Sequence, residues 1–186
     1  MVEGQSELRA LPELLRGSSI EYAKPACLFG QPAEADPKSL AIQCIAPTVR
    51  ALLARTPSIT HVAVIVDREK RSISAKLMRD EIQQTLDQEQ LGLPVIVSVT
   101  DRVFENWLLS SGKRFSSSKL VRNPLPKSVL TMCDGFDGLQ RVKDSMSPGK
   151  YVKTMHAPAF AKLVDPWDSA VAKRSPSIGH LAANLK

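Results

Sequence analysis

The sequence predicts an α/β fold with a mostly parallel central sheet, helices on both faces and a C-terminal helical extension. Three observations predict it. HVAVIV at 61–66 and VIVSV at 95–99 are β-branched apolar runs of the kind buried on both sides of a parallel sheet. Between them, Ala75, Met78, Ile82 and Leu86 recur at helical spacing on an otherwise charged segment, as on an amphipathic surface helix. A strand, helix and strand of these lengths make a βαβ unit, whose crossover is right-handed. With 186 residues and 43% apolar content the chain can bury one sizeable core. The expected organisation is an α/β core over 1–110, a basic mobile loop over 111–127 and the helical extension, packed on the core, over 128–186.

In chain order, Ser6 stands in N-cap position before Leu8, Leu11, Leu14 and Leu15 at helical spacing, and Gly17 marks a stop. Pro12 kinks or shortens that helix. Residues 20–29 are a weaker strand candidate, interrupted by Pro25. Over 39–55, Ala41, Ile45, Val49, Leu52 and Leu53 share a helical face, with a break or second start at Pro47. Gly92 and Pro94 end the helix that follows the first buried strand. Asp101 caps a short helix in which Phe104, Trp107 and Leu108 form the apolar stripe and Glu105 stands off it. Further helices are expected over 157–164 and 177–185.

Composition removes several classes of function. No run approaches the roughly eighteen apolar residues of a membrane span, and the acidic start MVEGQSE is unlike a signal peptide, so a cytoplasmic protein without membrane partners is expected. Cys27, Cys44 and Cys133 are isolated, and His61, His156 and His180 show no ligand spacing, which argues against zinc. A net charge of +6 is compatible with a polyanionic partner. Residues 111–127 carry Lys113, Arg114, Lys119, Arg122 and Lys127 without one acid among Ser, Gly and Pro residues. Two readings stand side by side for them, an ordinary solvated loop and a nucleic-acid-binding segment centred on Lys113, Arg114, Lys119 and Arg122.

Ligands of parallel sheets bind outside the carboxyl ends of the strands, which is where Asp67 and Glu69 fall in VDREKR. Carboxylates there suit a hard cation such as magnesium. Equally, Asp67 could cap the next helix, and Glu69 could pair with Lys70 or Arg71. The N-terminal VEGQSE supplies two more acids, Glu3 before a glycine and Glu7 at a helix start.

Glu3-Gly4 together with the later Asp67-x-Glu69 pair resembles the signature of topoisomerase-primase (TOPRIM) domains, a Rossmann-like fold. The VEGxSE form is most similar to the nucleases of the overcoming-lysogenization-defect (OLD) family and to small stand-alone bacterial TOPRIM-like proteins. FENWLL at 104–109, KYVKTMHAPAFAKLVD and SPSIGHLAANL extend the similarity more loosely over most of the chain. The resemblance implies metal-dependent phosphodiester hydrolysis with Mg2+ or Mn2+, two ions about 4 Å apart serving an in-line displacement. Glu3, Glu7, Asp67 and Glu69 would be ligands, with Glu105 an additional one. Glu3, Asp67 and Glu69 would carry catalysis, with Lys153 or Lys162 beside the scissile phosphate. A role in mobile-element or phage defence follows from the same likeness.

Two departures bear on it. Glu69 replaces the second aspartate of the usual DxD, and only Met1 and Val2 precede Glu3 where the family has a whole strand, so an incomplete sheet or a start further upstream is expected. The competing reading is a catalytically weak regulatory or binding subunit acting with a separate ATPase, since no GxxxxGK[ST] loop occurs in the chain. Primase-like or topoisomerase-like strand chemistry is disfavoured, because it uses further domains.

Overall fold

A computed structural model describes all residues except Gly17, Ser19, Pro148 and Lys186. Strand β1 (Val62–Asp67) and strand β2 (Val95–Thr100) form a parallel two-stranded sheet in which Val62 lies beside Val95 and Asp67 beside Thr100. The βαβ unit read from the two apolar runs is therefore present, each strand one residue longer at its carboxyl end than expected. Alternation along β1 divides the interior. Val62, Val64 and Val66 enter one apolar cluster with Val97, Val99, Met78, Ile82 and Leu86, whereas Ile65 joins a second cluster built around Phe104, Trp107 and Phe160.

The N-terminus adds to this sheet in a way the sequence did not suggest. Val2 makes parallel bridges to Ile65 on one side and to Cys27 on the other. The Ile65 N–H donates to the Met1 carbonyl at 2.9 Å, the Val2 N–H to the Ala26 carbonyl at 3.0 Å, and the Leu28 N–H to the Val2 carbonyl at 2.8 Å. Met1 and Val2 thus occupy the lane where the family has its first strand. The 20–29 segment contributes one bridge rather than a strand, consistent with the interruption at Pro25.

Helix α1 (Gln5–Leu14) begins from Gly4, not Ser6, which is buried in its first turn, and it ends two residues after Pro12; the Gly17 stop lies outside the described residues. A short α2 (Pro37–Ser39) runs into a π-helical stretch over Leu40–Ile45 and then into α3 (Ala46–Arg55). The break expected at Pro47 is therefore a widened stretch just ahead of a helix whose first turn needs no proline N–H. Helix α4 (Ala75–Gln88) is capped by the Ser74 side chain and buries Met78, Ile82 and Leu86.

Helix α5 (Glu105–Leu109) follows β2. Asp101 does not cap it, because its Oδ1 accepts from Arg68 Nε at 2.8 Å. Next come α6 (Lys113–Ser116), α7 (Lys127–Thr131), α8 (Gly138–Ser145), α9 (Lys153–Ala161), α10 (Ser169–Arg174) and α11 (Pro176–Asn184). The 111–127 segment, expected as an irregular loop, thus contains α6 and is anchored by buried Leu125 and by Phe115, whose ring lies 4.5 Å from that of Phe160. Its isolated aromatic outweighs the Ser and Gly residues around it. Gly112, at φ 59, makes the turn into α6. A Cβ there would meet the Arg174 guanidinium at 3.2 Å. Among the described residues no helix is long and apolar enough to cross a membrane.

Beyond β1 one side chain ties the strand end to the 32–35 turn. Arg71 donates to the carbonyls of Pro32, Ala33, Ala35, Asp67 and Arg68, so a single guanidinium fastens the 32–35 turn to the strand end. A lysine has one ammonium and cannot span five carbonyls. Arg71→Lys is expected to lower stability by about 2 kcal/mol in denaturant unfolding, the size of a lost charged hydrogen-bond group; an unchanged midpoint would show the turn to be held by other interactions.

Candidate acidic site at the carboxyl edge of the sheet

Because Val2 lies beside Ile65 in parallel, Glu3 and Asp67 leave neighbouring lanes of the sheet at the same edge. Gly4 follows in extended conformation, and Glu7 curls back over the start of α1, where it is 7% exposed and accepts from Ser6 Oγ at 2.9 Å. A Cβ on Gly4 would stand 2.6 Å from Glu7 Oε2, so the glycine leaves room for this carboxylate rather than for an unusual backbone angle.

The Asp67 residue keeps some exposure, but its carboxyl is enclosed and accepts from Thr100 Oγ1 on β2 at 2.6 Å. Burial pushes its pKa well above the usual carboxylate range; the Glu3 charge adds to this, the Thr100 hydrogen bond opposes it, and Glu7 and Glu105 add smaller repulsions. Burial likewise raises Glu3 to about 7, reinforced by Glu69 and then resisted by Arg71 and the Asp67 backbone. Glu69 stands at φ 54, a left-handed conformation rare for glutamate, and its N–H donates to the carbonyl of Arg102, itself at φ 83, at 2.6 Å. Neither simple alternative for this pair holds: Asp67 caps no helix, Ser74 taking that role, and among the described residues Glu69 forms an ion pair with neither Lys70 nor Arg71, whose guanidinium is spent on carbonyls.

Glu105 corrects an expectation. It does not stand off its helix into solvent but is 1% exposed. Its Oε1 accepts from Tyr151 Oη at 3.1 Å and pairs with Lys153 Nζ at 3.2 Å, while its Oε2 has no partner. Glu3 Oε1 is also buried without one. Burial pulls the Lys153 pKa down, yet it is raised overall, because Glu105, Glu7 and Asp67 together outweigh that effect. Burial raises the Tyr151 phenol strongly, with Glu105 and Glu7 adding to it.

The two candidate lysines part company. Helices α1 and α9 pack side by side, and Lys153 at the start of α9 feels the Glu7 charge in the first turn of α1, which together with the approach of Lys162 to Glu13 at their other ends means that the two run in the same direction. Lys162, just past the end of α9, lies 3.8 Å from Glu13 near the end of α1. Nine residues of helix put it about 13 Å further along the axis. Lys162 is therefore not part of the cluster. Lys113, Arg114, Lys119 and Arg122 are all exposed or half-exposed, and no ion pair involves them among the described residues.

Glu3, Glu7, Asp67, Glu69 and Glu105 thus share one electrostatic neighbourhood, but each of Glu7, Asp67 and Glu105 is held by its own hydroxyl or ammonium partner. Among the described residues no three His, Cys, Asp or Glu side chains close on a common point as metal ligands. The donor set itself is all carboxylate oxygen, which suits Mg2+ or Mn2+, and two of those buried oxygens lack a partner. The sequence did not single out Thr100 or Tyr151, and it offered Arg71 only as a partner for Glu69, not as the donor to five carbonyls. Thr100 could have been found as the β2 residue level with Asp67; Tyr151 and this role of Arg71 carry no local signal. Comparisons with family models, with curated proteins and with solved structures find no match for this chain, so its function has to be argued from the site.

Proposed function

We propose that this chain is a TOPRIM-type, metal-dependent phosphodiester hydrolase, a nuclease using Mg2+ or Mn2+ held by Glu3, Glu7, Asp67, Glu69 and Glu105. The observation that carries the reading is the register of Val2 beside Ile65. It brings a Glu-Gly turn and a strand-terminal Asp-x-Glu to one sheet edge, the arrangement the sequence resemblance implies, even though the first lane is only two residues long. A bound divalent cation supplies Lewis acidity and a more acidic water. The chain's own part is to hold deprotonated oxygen ligands in an enclosed site and to present the Lys153 ammonium, 41% exposed, to an incoming phosphate. Lys113, Arg114, Lys119 and Arg122 supply charge for the nucleic-acid backbone. A role in mobile-element or phage defence accompanies this reading.

The test is calorimetry with MgCl2 and MnCl2 beside cleavage assays on single- and double-stranded DNA and RNA. Metal-dependent cleavage supports the nuclease. Binding without cleavage supports the second reading, a catalytically weak subunit that works with a separate ATPase, which is favoured by no three possible ligands closing on a common point among the described residues. No divalent binding at all sinks both.

The basic segment makes its own prediction. Neutralising Lys113, Arg114, Lys119 and Arg122 together should weaken nucleic-acid binding and reduce the slope of log affinity against log salt, by up to about 0.9 for each duplex phosphate that is no longer neutralised. An unchanged slope removes the segment from the binding path.

A further inference from the structure

Glu105 is built differently from the other acids of the cluster. Nothing in its own helix orients it, because α5 is only five residues long and no side chain caps it. Its orientation comes from a segment distant in sequence, where Tyr151, two residues ahead of α9, and Lys153, the first residue of α9, both reach the same oxygen at 3.1 and 3.2 Å. The second oxygen of this 1% exposed carboxylate is left with no partner. A buried carboxylate oxygen without a hydrogen-bond donor is costly, and native proteins seldom keep one unless an ion, a water or a reacting group fills the gap. Asp67 and Lys153 both respond to the Glu105 charge, so that oxygen belongs to the same electrostatic neighbourhood as the strand-end acids.

The two donors differ in a telling way. Lys153 is a mobile ammonium on a flexible stem, 41% exposed, that can leave Glu105 for another anion. The Tyr151 ring is fixed, half-buried and stacked at 6.0 Å on His156, whose Nδ1 accepts from the Val152 N–H at 2.9 Å. A hydroxyl on a fixed ring keeps Glu105 aimed whether or not Lys153 is present.

Resting on the cation-site reading above, we propose that Tyr151 is a positioning residue of that site: its hydroxyl satisfies Oε1 of Glu105 so that Oε2 stays free for a divalent cation. Tyr151 acts through Glu105 and touches neither cation nor substrate. Partners that orient a ligating side chain commonly govern metal affinity by 10- to 100-fold.

The experiment is a double-mutant cycle of Tyr151→Phe and Glu105→Gln in the full chain, reading MnCl2 affinity by calorimetry and thermal stability without metal. Tyr151→Phe keeps the ring and its stack, and is expected to weaken Mn2+ binding at least tenfold with the chain still folded. In the Glu105→Gln background the same change should have no further effect on affinity. Equal Mn2+ affinity in wild type and Tyr151→Phe overturns the proposal while leaving the cation-site reading intact, even if the variant melts lower. An undiminished effect of Tyr151→Phe in the Glu105→Gln background also overturns it. A wild-type chain that binds no Mn2+ overturns the cation-site reading and this inference together.

Discussion

On the proposed nuclease reading, Asp67→Asn is expected to abolish metal-dependent cleavage, to weaken divalent-cation binding by about two orders of magnitude or more, and at the same time to make the metal-free protein more stable. The two directions have one cause. Asp67 is an enclosed carboxyl whose pKa is raised first by burial and then by Glu3, so ionising it is unfavourable until a cation arrives. Asparagine retains an oxygen to accept the Thr100 Oγ1 hydrogen bond, now 2.6 Å long, and removes the charge. The gain is read as a rise in the melting temperature of the metal-free chain. The gain should grow with pH, since more of the wild-type carboxyl is then forced to ionise. Melts at pH 6 and pH 8 without metal, with calorimetry in parallel, read all three effects. A variant that melts below wild type at pH 8, or that still cleaves, removes Asp67 from the centre of the site.

The second large effect is a pH dependence that a divalent cation should reverse. Glu3 is raised from 4.5 to about 7, chiefly by burial and then by Glu69. A group whose folded pKa lies above its unfolded one contributes stability that is fully present below the unfolded value and is lost as pH rises through the folded value. The metal-free chain should therefore lose stability between about pH 4.5 and 7, by at most about 3 kcal/mol and less to the extent that solvent screens the partly exposed side chain. Saturating MgCl2 should restore that loss at pH 8, do little at pH 5, and release protons on binding between these limits. A melting profile that is flat with pH, or a magnesium effect as large at pH 5 as at pH 8, would defeat this account.

Both effects reside in residues whose identity the sequence displayed but whose surroundings it did not. The strands were legible because β-branched runs buried on both sides need no partner to declare themselves, and α4 because its apolar stripe repeats along its whole length. The acids at 3, 7, 67 and 69 could be named from their positions around a strand end and a helix start. Glu105 could be named too, but its burial could not. Periodicity on a helix of five residues marks one apolar side, whereas α8 and α9 cover this one from other directions. Lys153 and Lys162 are equivalent in sequence, and only the parallel packing of α9 on α1 separates them. The Arg71 knot and the Tyr151 hydroxyl depend on hydrogen bonds across 39 and 46 positions of sequence, which no local pattern encodes. In the basic segment the composition speaks for a loop, and most of it is irregular, but buried Phe115 and Leu125, which the composition does not weigh, anchor it to the core.

Position 69 sets backbone ease against the charge of the acidic cluster within one residue. A glutamate at φ 54 carries backbone strain on the order of 1 kcal/mol that asparagine or glycine would relieve. Selection for a sturdier chain alone would favour either replacement, and each would discard the carboxylate that raises Glu3. Stabilised variants recovered from a random library without selection for activity should accordingly be enriched in uncharged residues at 69, and their gain in melting temperature should come with lost affinity for divalent cations.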